Sequence, residues 1–406
     1  MAEAGSFTVE GPVLLPGGAV RAAAVTAAGE RILSVDGPGY IRGPRVQRLP
    51  PGHVLIPGLI DLHMHGGEGT DAATASADVW VRLSRYAASR GATTAVPALV
   101  SSSEERTLEF LQGAGRMGDD APGARIAGVH LEGPFLCVER RGAHSPEAIR
   151  PPDPAEVRRW IEVAGSHLSM VTLAPEQPGA DEVIEMLSAE GITVAAGHTG
   201  ATFPEMMRAF DLGVSHVVHL FNGMTPIHHR SPGPAAAALL RSGITCELIP
   251  DGVHVDVRMI ELVTRCKLAE EICLVTDSTA AAGLRDGSYT LGPLRVNVRG
   301  GIARCPDGTL AGSTLTPAGV LRAAGRDLGW SLARAILALS TVPARVLGLP
   351  AGEIRPGKRA DLAVIDAEWN PVATVVGGRL VYGSLEGGRS CDEHREDQAG
   401  GDEGRR

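Results

Sequence analysis

Hydrophobic positions along this chain fall into two rhythms. Over the first fifty residues, short β-type runs are broken by Gly and Pro, as in TVEGPVLL, RILSVDG and RVQRLPPGHVLIPG. From about residue 55, short apolar runs alternate with stretches of helical period. The apolar runs are VLIPGLIDLHMH, TTAVPALV, RIAGVHLEGPF, LSMVTLAPE, ITVAAGHT, SHVVHLF, ITCELIPDG and EICLVTDS. Between them lie segments such as DVWVRLSRYAASRG, DEVIEMLSAEG, FPEMMRAFDLG and VRMIELVTRC, whose apolar residues suit one face of a helix. Strands alternating with helices predict an α/β fold with a parallel sheet, and eight strands are the number that closes a (β/α)8 TIM-type barrel.

After the eighth run, residues 283–313 form a Gly-rich insertion that reads as a hairpin plus a loop. Helices around 316–328 and 331–341 follow. The segment EIRPGKRADLAVIDAEWNPVATVVGGRLVYG then returns to strand patterning, with turns at Pro356-Gly357 and Gly377-Gly378. Neither terminal β segment is large enough to bury a core alone. We therefore expect residues 1–54 and 345–384 to combine into a small β-sandwich beside a barrel of residues 55–344. The tail, residues 385–406, is polar and charged and has the composition of a disordered segment.

Composition changes this picture little: 406 residues, 44% hydrophobic and 21% charged, suit a globular protein with a large core. The net charge of -9 argues against nucleic acid or an anionic membrane as partner. It leaves a small anionic ligand open, because one local Arg reverses the sign at a site. The N-terminus lacks the basic start and apolar stretch of a signal peptide, and no run of apolar residues is long enough for a membrane span. Six cysteines, at 137, 246, 266, 273, 305 and 391, form no CxxC pair. Such spacing reads as buried free thiols in a reducing compartment, with the cytoplasm as default.

Position carries the chemistry. In a (β/α)8 barrel the catalytic groups sit at the C-terminal ends of the strands. Here Glu132 ends the third run, His198 the fifth and His219 the sixth; His254 follows the seventh and Asp277 ends the eighth. On the first, PGLIDLHMHG places Asp61, His63 and His65 on one face and Ile60, Leu62 and Met64 on the other, by the period of two. Glu132, His198 and His219 satisfy the three-ligand requirement of a catalytic metal with a position open to water. His63 and His65 can hold a second ion, with Glu132 bridging and Asp277 completing the pair. A first-strand motif without a second ion is the alternative. The cofactor expected is a divalent cation of the Zn, Fe, Mn or Co type, one or two per subunit. His130 shares the inward face with Glu132; His216 faces away from His219 and reads as structural, and His228 and His229 as loop residues.

The ordered set HxH, HLEGPF, RGAHSP, GHT, VHLFNGM, HHRSPG, DGVH, VTDS and LAGSTLTP resembles the N-acetylglucosamine-6-phosphate deacetylases of the amidohydrolase superfamily, from about residue 50 to 383. The resemblance implies metal-dependent hydrolysis of the acetamide of N-acetylglucosamine 6-phosphate, giving glucosamine 6-phosphate and acetate in amino-sugar catabolism and cell-wall sugar recycling. It implies that Glu132, His198 and His219 are metal ligands, that Asp277 is the general base and acid, and that His254 contacts the reacting acetyl group. Arg230 matches the arginine that grips the sugar phosphate from the neighbouring subunit of a homodimer. Ala143, Asn222, Gly223, Asp251, Leu310, Ala311 and Gly312 fall at substrate-lining positions. Gly223 stands where Ala is usual after Asn, and TDST replaces TDA.

Three rival readings are weighed by residues. A cyclic-amide hydrolase of the dihydroorotase kind bridges its metals with a carboxylated lysine on the fourth strand. The lysines here are Lys267 and Lys358, and the fourth run is VTLAPE. A deaminase leaves Arg230 and the motif set unexplained, and a catalytically dead relative is expected to lack ligands or base. The galactosamine epimer remains an alternative substrate.

Overall fold

The structure, a computed structural model, describes residues 6–40, 46–117 and 121–385. The tail beyond Leu385, with Cys391, lies outside the described residues. Eight parallel strands form the barrel: β1 (Leu59–Met64), β2 (Ala92–Val100), β3 (Val129–Glu132), β4 (Leu168–Leu173), β5 (Thr193–Ala196), β6 (Val214–Val217), β7 (Thr245–Leu248) and β8 (Ile272–Leu274). They pair in sequence order. Helices follow in the same order: α1 (Ala77–Ser89), α2 (Glu104–Met117), α3 (Pro154–Ala164), α4 (Ala180–Ala189), α5 (Phe203–Leu212), α6 (Gly233–Leu240), α7 (Val257–Cys266) and α8 (Pro317–Arg326). Local chemistry sets their starts. Thr202 and Glu205 form a reciprocal capping box at α5, with Pro204 in its first turn, so the FPEMMRAFDLG segment begins where the chain loses its strand pattern.

The seam between β8 and β1 is closed by main-chain bonds: Asp277 N–H donates to His63 O (2.9 Å) and His65 N–H to Ser278 O (2.8 Å). Ser278 Oγ donates to Gly66 O (2.7 Å), so the TDST variant of the motif contributes a hydroxyl to this closure. Inside the barrel, Ile60, Leu62, Val96, Met170, Ala195, Cys273 and Val275 form one buried apolar cluster. The opposite faces of the strands pack on the helices around Trp80, Phe110 and Trp160.

The strict alternation expected of β1 is interrupted. Its pairing register shifts between Asp61 and Met64, so Ile60 and Leu62 reach the interior cluster while His63 and His65 still point into the mouth. Asp61 parts from the histidines: its carboxylate accepts from Thr276 Oγ1 at 2.6 Å, and burial pushes its pKa up to about 6.

Segments from residues 6–57 and 362–383 meet in one mixed eight-stranded sheet. Its order is Arg379–Gly383, Pro371–Val376, Leu362–Ile365, Val54–Pro57, Ser6–Leu14, Val20–Ala28 and Arg31–Asp36, with Val46–Arg48 beside Ser6–Leu14. Its core includes Val9, Val25, Leu55, Leu362 and Val375. The first apolar run is thus divided at Pro57-Gly58: Val54–Pro57 pairs with Leu362–Ile365, and β1 begins after the break. The Gly-rich insertion is a three-stranded antiparallel sheet, Gly287–Leu291, Leu294–Arg299 and Ile302–Arg304, one strand more than a hairpin. It stands over the barrel mouth. Among the described residues, no helix is long and apolar enough to cross a membrane.

Candidate active site

Glu132, at the end of β3, is the hub. His219 Nε2 lies 2.8 Å and His198 Nε2 3.0 Å from its Oε1, and His65 Nε2 lies 3.2 Å from its Oε2. His63 Nε2 is 3.6 Å from Oε1. Asp277 Oδ1 is 3.3 Å from His65 Nε2 and 3.9 Å from His63 Nε2. All six side chains are buried. His198, His219 and Asp277 have φ of +46°, +29° and +47°, a left-handed backbone uncommon for such residues. Each stands just past its strand, and this conformation explains why simple alternation misplaces them. His219 turns back toward the interior, where His216 also lies, although three positions separate the two.

The partners of each ring decide what its other nitrogen can do. The Nδ1–H of His65 donates to Ala98 O (3.2 Å), that of His198 to Arg140 O (2.9 Å), and that of His63 to Glu247 Oε2 (3.0 Å). In each neutral ring Nε2 is left with a lone pair facing the carboxylates, the state a metal ligand needs. His63 Nε2 is buried with no hydrogen-bond partner, an orphan that a cation would satisfy. His144 is the opposite case. Its Nε2 is 3.4 Å from Glu132 Oε2, but its Nδ1 accepts the Ser101 N–H (3.0 Å). The ring proton therefore sits on Nε2, and His144 enters the site as a donor and not as a ligand. Burial, followed by the neighbouring His198, holds its pKa down to about 4, so it stays neutral. The close groups of ligand type are His63, His65 and Asp277, and Glu132, His144 and His198. With His144 a hydrogen-bond donor, His219, 2.8 Å from Glu132, takes its place, so the set fits one divalent cation beside Glu132, His198 and His219 and another beside His63, His65 and Asp277.

Burial raises the pKa of Glu132, but the surrounding His63, His144 and His198 hold it well below the usual carboxylate range. Asp277 is lowered in the same way, burial being outweighed by the hydrogen bond of His65 and the charge of His63. It is therefore ionised at neutral pH and able to accept a proton. His254 Nδ1–H donates to Asp251 Oδ2 (2.7 Å), and Asp251 Oδ1 accepts the His254 N–H (2.8 Å). Burial works against both charges, yet this bond keeps Asp251 below and His254 above their ordinary values. Nε2 of His254 is the ring atom left for the pocket.

These groups open on a pocket of about 200 Å³. It is lined by Ala143, Asn222, Gly223, Leu310 and Gly312 as expected, and by Val100, His144, Leu291 and Thr309 in addition. Gly223 and Gly312 owe their place to the backbone. Their φ values are +61° and +55°, and an added Cβ would stand 2.7 Å from His198 Nδ1 at the first and 2.7 Å from Asp277 O at the second. With the backbone as it stands here, alanine at 223 would crowd the His198 ring.

Ala311, Asp251 and Arg230 do not line the pocket. Ala311 is fully buried and ties its N–H to Ala303 O (3.2 Å), and Asp251 acts on His254. Arg230 is exposed on the loop after β6, its Nη1 2.7 Å from His229 Nε2. Among the described residues, no Lys or Arg lines the pocket. His130 Nε2 bonds to Thr172 Oγ1 (2.7 Å) beneath the site, and its ring packs edge-on against His63. Two buried groups escaped the sequence reading, His144 within RGAHSP and Glu247 within ITCELIPDG. A charge at an interior position of an apolar strand was the available signal for the second.

Residues 54–381 match the family model described as the amidohydrolase family. Among characterised relatives, an N-acetylgalactosamine-6-phosphate deacetylase of Escherichia coli O157:H7 is 38% identical over 77% of this chain and 84% of its own length. An N-acetylglucosamine-6-phosphate deacetylase of Vibrio furnissii is 37% identical over 82% of this chain and 84% of its own. The crystal structure of the Mycobacterium smegmatis N-acetyl-D-glucosamine-6-phosphate deacetylase superposes with a TM-score of 0.86 at 36% identity, covering 93% of this chain and 99% of that one. That from Thermotoga maritima gives 0.85 at 37% identity, covering 93% and 100%. The chain belongs to the amidohydrolase family and, within it, to the N-acetylglucosamine-6-phosphate deacetylases.

Proposed function

We propose that this protein hydrolyses the acetamide of N-acetylglucosamine 6-phosphate to glucosamine 6-phosphate and acetate. The observation that carries the reaction is the convergence of the Nε2 atoms of His63, His65, His198 and His219, each within 3.6 Å of the Glu132 carboxylate, beside the ionised Asp277. A divalent cation bound there supplies Lewis acidity and lowers the pKa of a bound water to about 7. Glu132, His198 and His219 are assigned to the tighter ion and His63, His65 and Asp277 to a second, of the Zn, Fe, Mn or Co type.

Asp277 takes the proton of the attacking water as its oxygen adds to the acetyl carbonyl. It then delivers that proton to the nitrogen as the C–N bond breaks, so the amine leaves neutral. His254, oriented by Asp251, donates from Nε2 to the oxygen that gains charge in the tetrahedral intermediate. The small pocket suits one hexosamine. That no Lys or Arg lines it among the described residues supports a homodimer in which Arg230, exposed on its own subunit, grips the phosphate in the site of the other. The free cysteines at 137, 246, 266, 273 and 305 are compatible with the cytoplasm.

Acetate release from N-acetylglucosamine 6-phosphate and from its 4-epimer, after metal reconstitution, tests the reading. Faster turnover of the gluco form supports it. A clear preference for the epimer transfers the assignment to the galactosamine substrate, the activity named for the E. coli relative.

A further inference from the structure

Glu247 lies within the apolar run TCEL of β7, has no exposed surface and takes no part in the reaction above. A carboxylate withdrawn from water is costly unless donors engage its oxygens. Here both are engaged, and by imidazoles: Oε2 by His63 Nδ1–H (3.0 Å) and Oε1 by His216 Nε2–H (2.8 Å). The main-chain N–H of His219 stands 3.4 Å from Oε2, at the limit of a hydrogen bond.

We propose that Glu247, backed by His216, is a positioning residue that makes His63 a metal ligand and so sets the affinity of the second cation site. The inference rests on the assignment of the first-strand histidines as ligands. An imidazole has two neutral tautomers. With the proton on Nε2, His63 would direct an N–H toward Glu132 and Asp277, 3.6 and 3.9 Å away, and the second site would be closed to a cation. In the neutral ring, Glu247 holds the proton at Nδ1 and leaves the lone pair to Nε2, an atom with no hydrogen-bond partner although wholly buried.

The acceptor is also of a different kind from those of His65 and His198. His65 and His198 present their Nδ1–H to neutral main-chain carbonyls, whereas His63 faces a carboxylate. An anionic acceptor raises the donor strength of the opposite nitrogen. His216 completes the device: its Nε2–H holds the other oxygen of Glu247, and its Nδ1 touches no partner.

Chelator-stripped wild type, Glu247→Gln, Glu247→Leu and His63→Gln are titrated with Zn2+ by calorimetry, with elemental analysis of the loaded forms and thermal melting of the stripped ones. Glutamine keeps the shape and one neutral acceptor, and leucine removes both oxygens. The proposal expects two ions on wild type. Glu247→Gln weakens one of them by about 10–100-fold, leaving the other within about threefold. Glu247→Leu and His63→Gln each lose that same ion. Should Glu247→Leu fail to fold, the Gln variant decides alone. If both Glu247 variants bind two ions as wild type does while His63→Gln loses one, Glu247 is core filling and the proposal falls with the ligand assignment intact. Equal weakening of both ions together with a lower melting temperature of the stripped protein also overturns it, as a merely structural role. A wild type with one ion that His63→Gln leaves in place overturns the ligand assignment, and the proposal with it.

Discussion

Asp277→Asn separates proton transfer from every other property of the site. Residue 277 has φ +47°, and asparagine is among the few non-glycine residues that accept this backbone readily, so the fold should hold. Alanine there would confound lost chemistry with strain. The amide oxygen can keep one of the contacts that Asp277 Oδ1 makes with His65 (3.3 Å) and His63 (3.9 Å). It cannot accept a proton from water, nor return one to the leaving nitrogen. General acid–base catalysis is worth about 10²–10⁴-fold, or roughly 2.7–5.4 kcal/mol at about 1.36 kcal/mol per decade. Because the loss falls on the transition state and not on substrate binding, kcat should drop by that factor with KM nearly constant. Acetate release is measured at saturating metal, since removing a charge also weakens the second ion. Elemental analysis and a melting curve confirm a loaded, folded protein. A kcat above about one tenth of wild type under these conditions refutes the assignment of Asp277.

Arg230→Ala should cost about 10–100-fold in kcat/KM for the phosphorylated sugar, the worth of a charge-assisted hydrogen bond, and leave the unphosphorylated sugar unchanged. Mixing Arg230→Ala with Asp277→Asn subunits should restore some acetate release if the arginine acts across the dimer; no recovery places it in its own subunit's site. His198→Gln should empty the tighter site and abolish turnover, whereas His63→Gln with His65→Gln should leave one ion per chain by elemental analysis and appreciable activity. Loss of all metal in the double variant reverses the two sites. In the ion-free protein, burial pulls His65 down, but its bonds to Asp277 and Glu132 outweigh this and raise its pKa to about 9. A ligand must shed that proton, so calorimetric cation affinity should rise about tenfold per pH unit for each proton displaced, up to about pH 9. The same raised value stabilises the ion-free fold fully below the unfolded pKa of about 6.5, and this stability is lost as pH rises through about 9. Melting temperature of the stripped protein should therefore fall across that window; a rise contradicts the charge balance of the site.

The barrel was legible because each strand carries a short apolar run and several helices carry a side-chain cap or a glycine stop. Much of the candidate site was legible because barrel geometry sends catalytic groups to strand ends, and seven residues with metal or proton chemistry stand at or just past them. What period-two reasoning missed was set by departures from regular backbone. The register shift in β1 separates Asp61 from His63, and the left-handed conformation of His219 turns its ring inward. Tautomers are invisible in a sequence, because they depend on neighbours remote in the chain. Ser101 makes His144 a donor, and Glu247, 184 residues away, governs His63. The exposed position of Arg230 was not legible either, since the pocket that lacks a cation is assembled from several separate loops.

The central claim is that a divalent cation held at Glu132 drives hydrolysis of an amino-sugar phosphate acetamide. Its most direct test is acetate release from N-acetylglucosamine 6-phosphate by the chelator-stripped protein, before and after titration with Zn2+, Mn2+, Co2+ or Fe2+. No turnover is expected without metal, with restoration that saturates at one or two ions per chain and glucosamine 6-phosphate formed in equal amount with acetate. Full activity in protein shown by elemental analysis to be metal-free, or no acetate from either epimer at full loading, would contradict it.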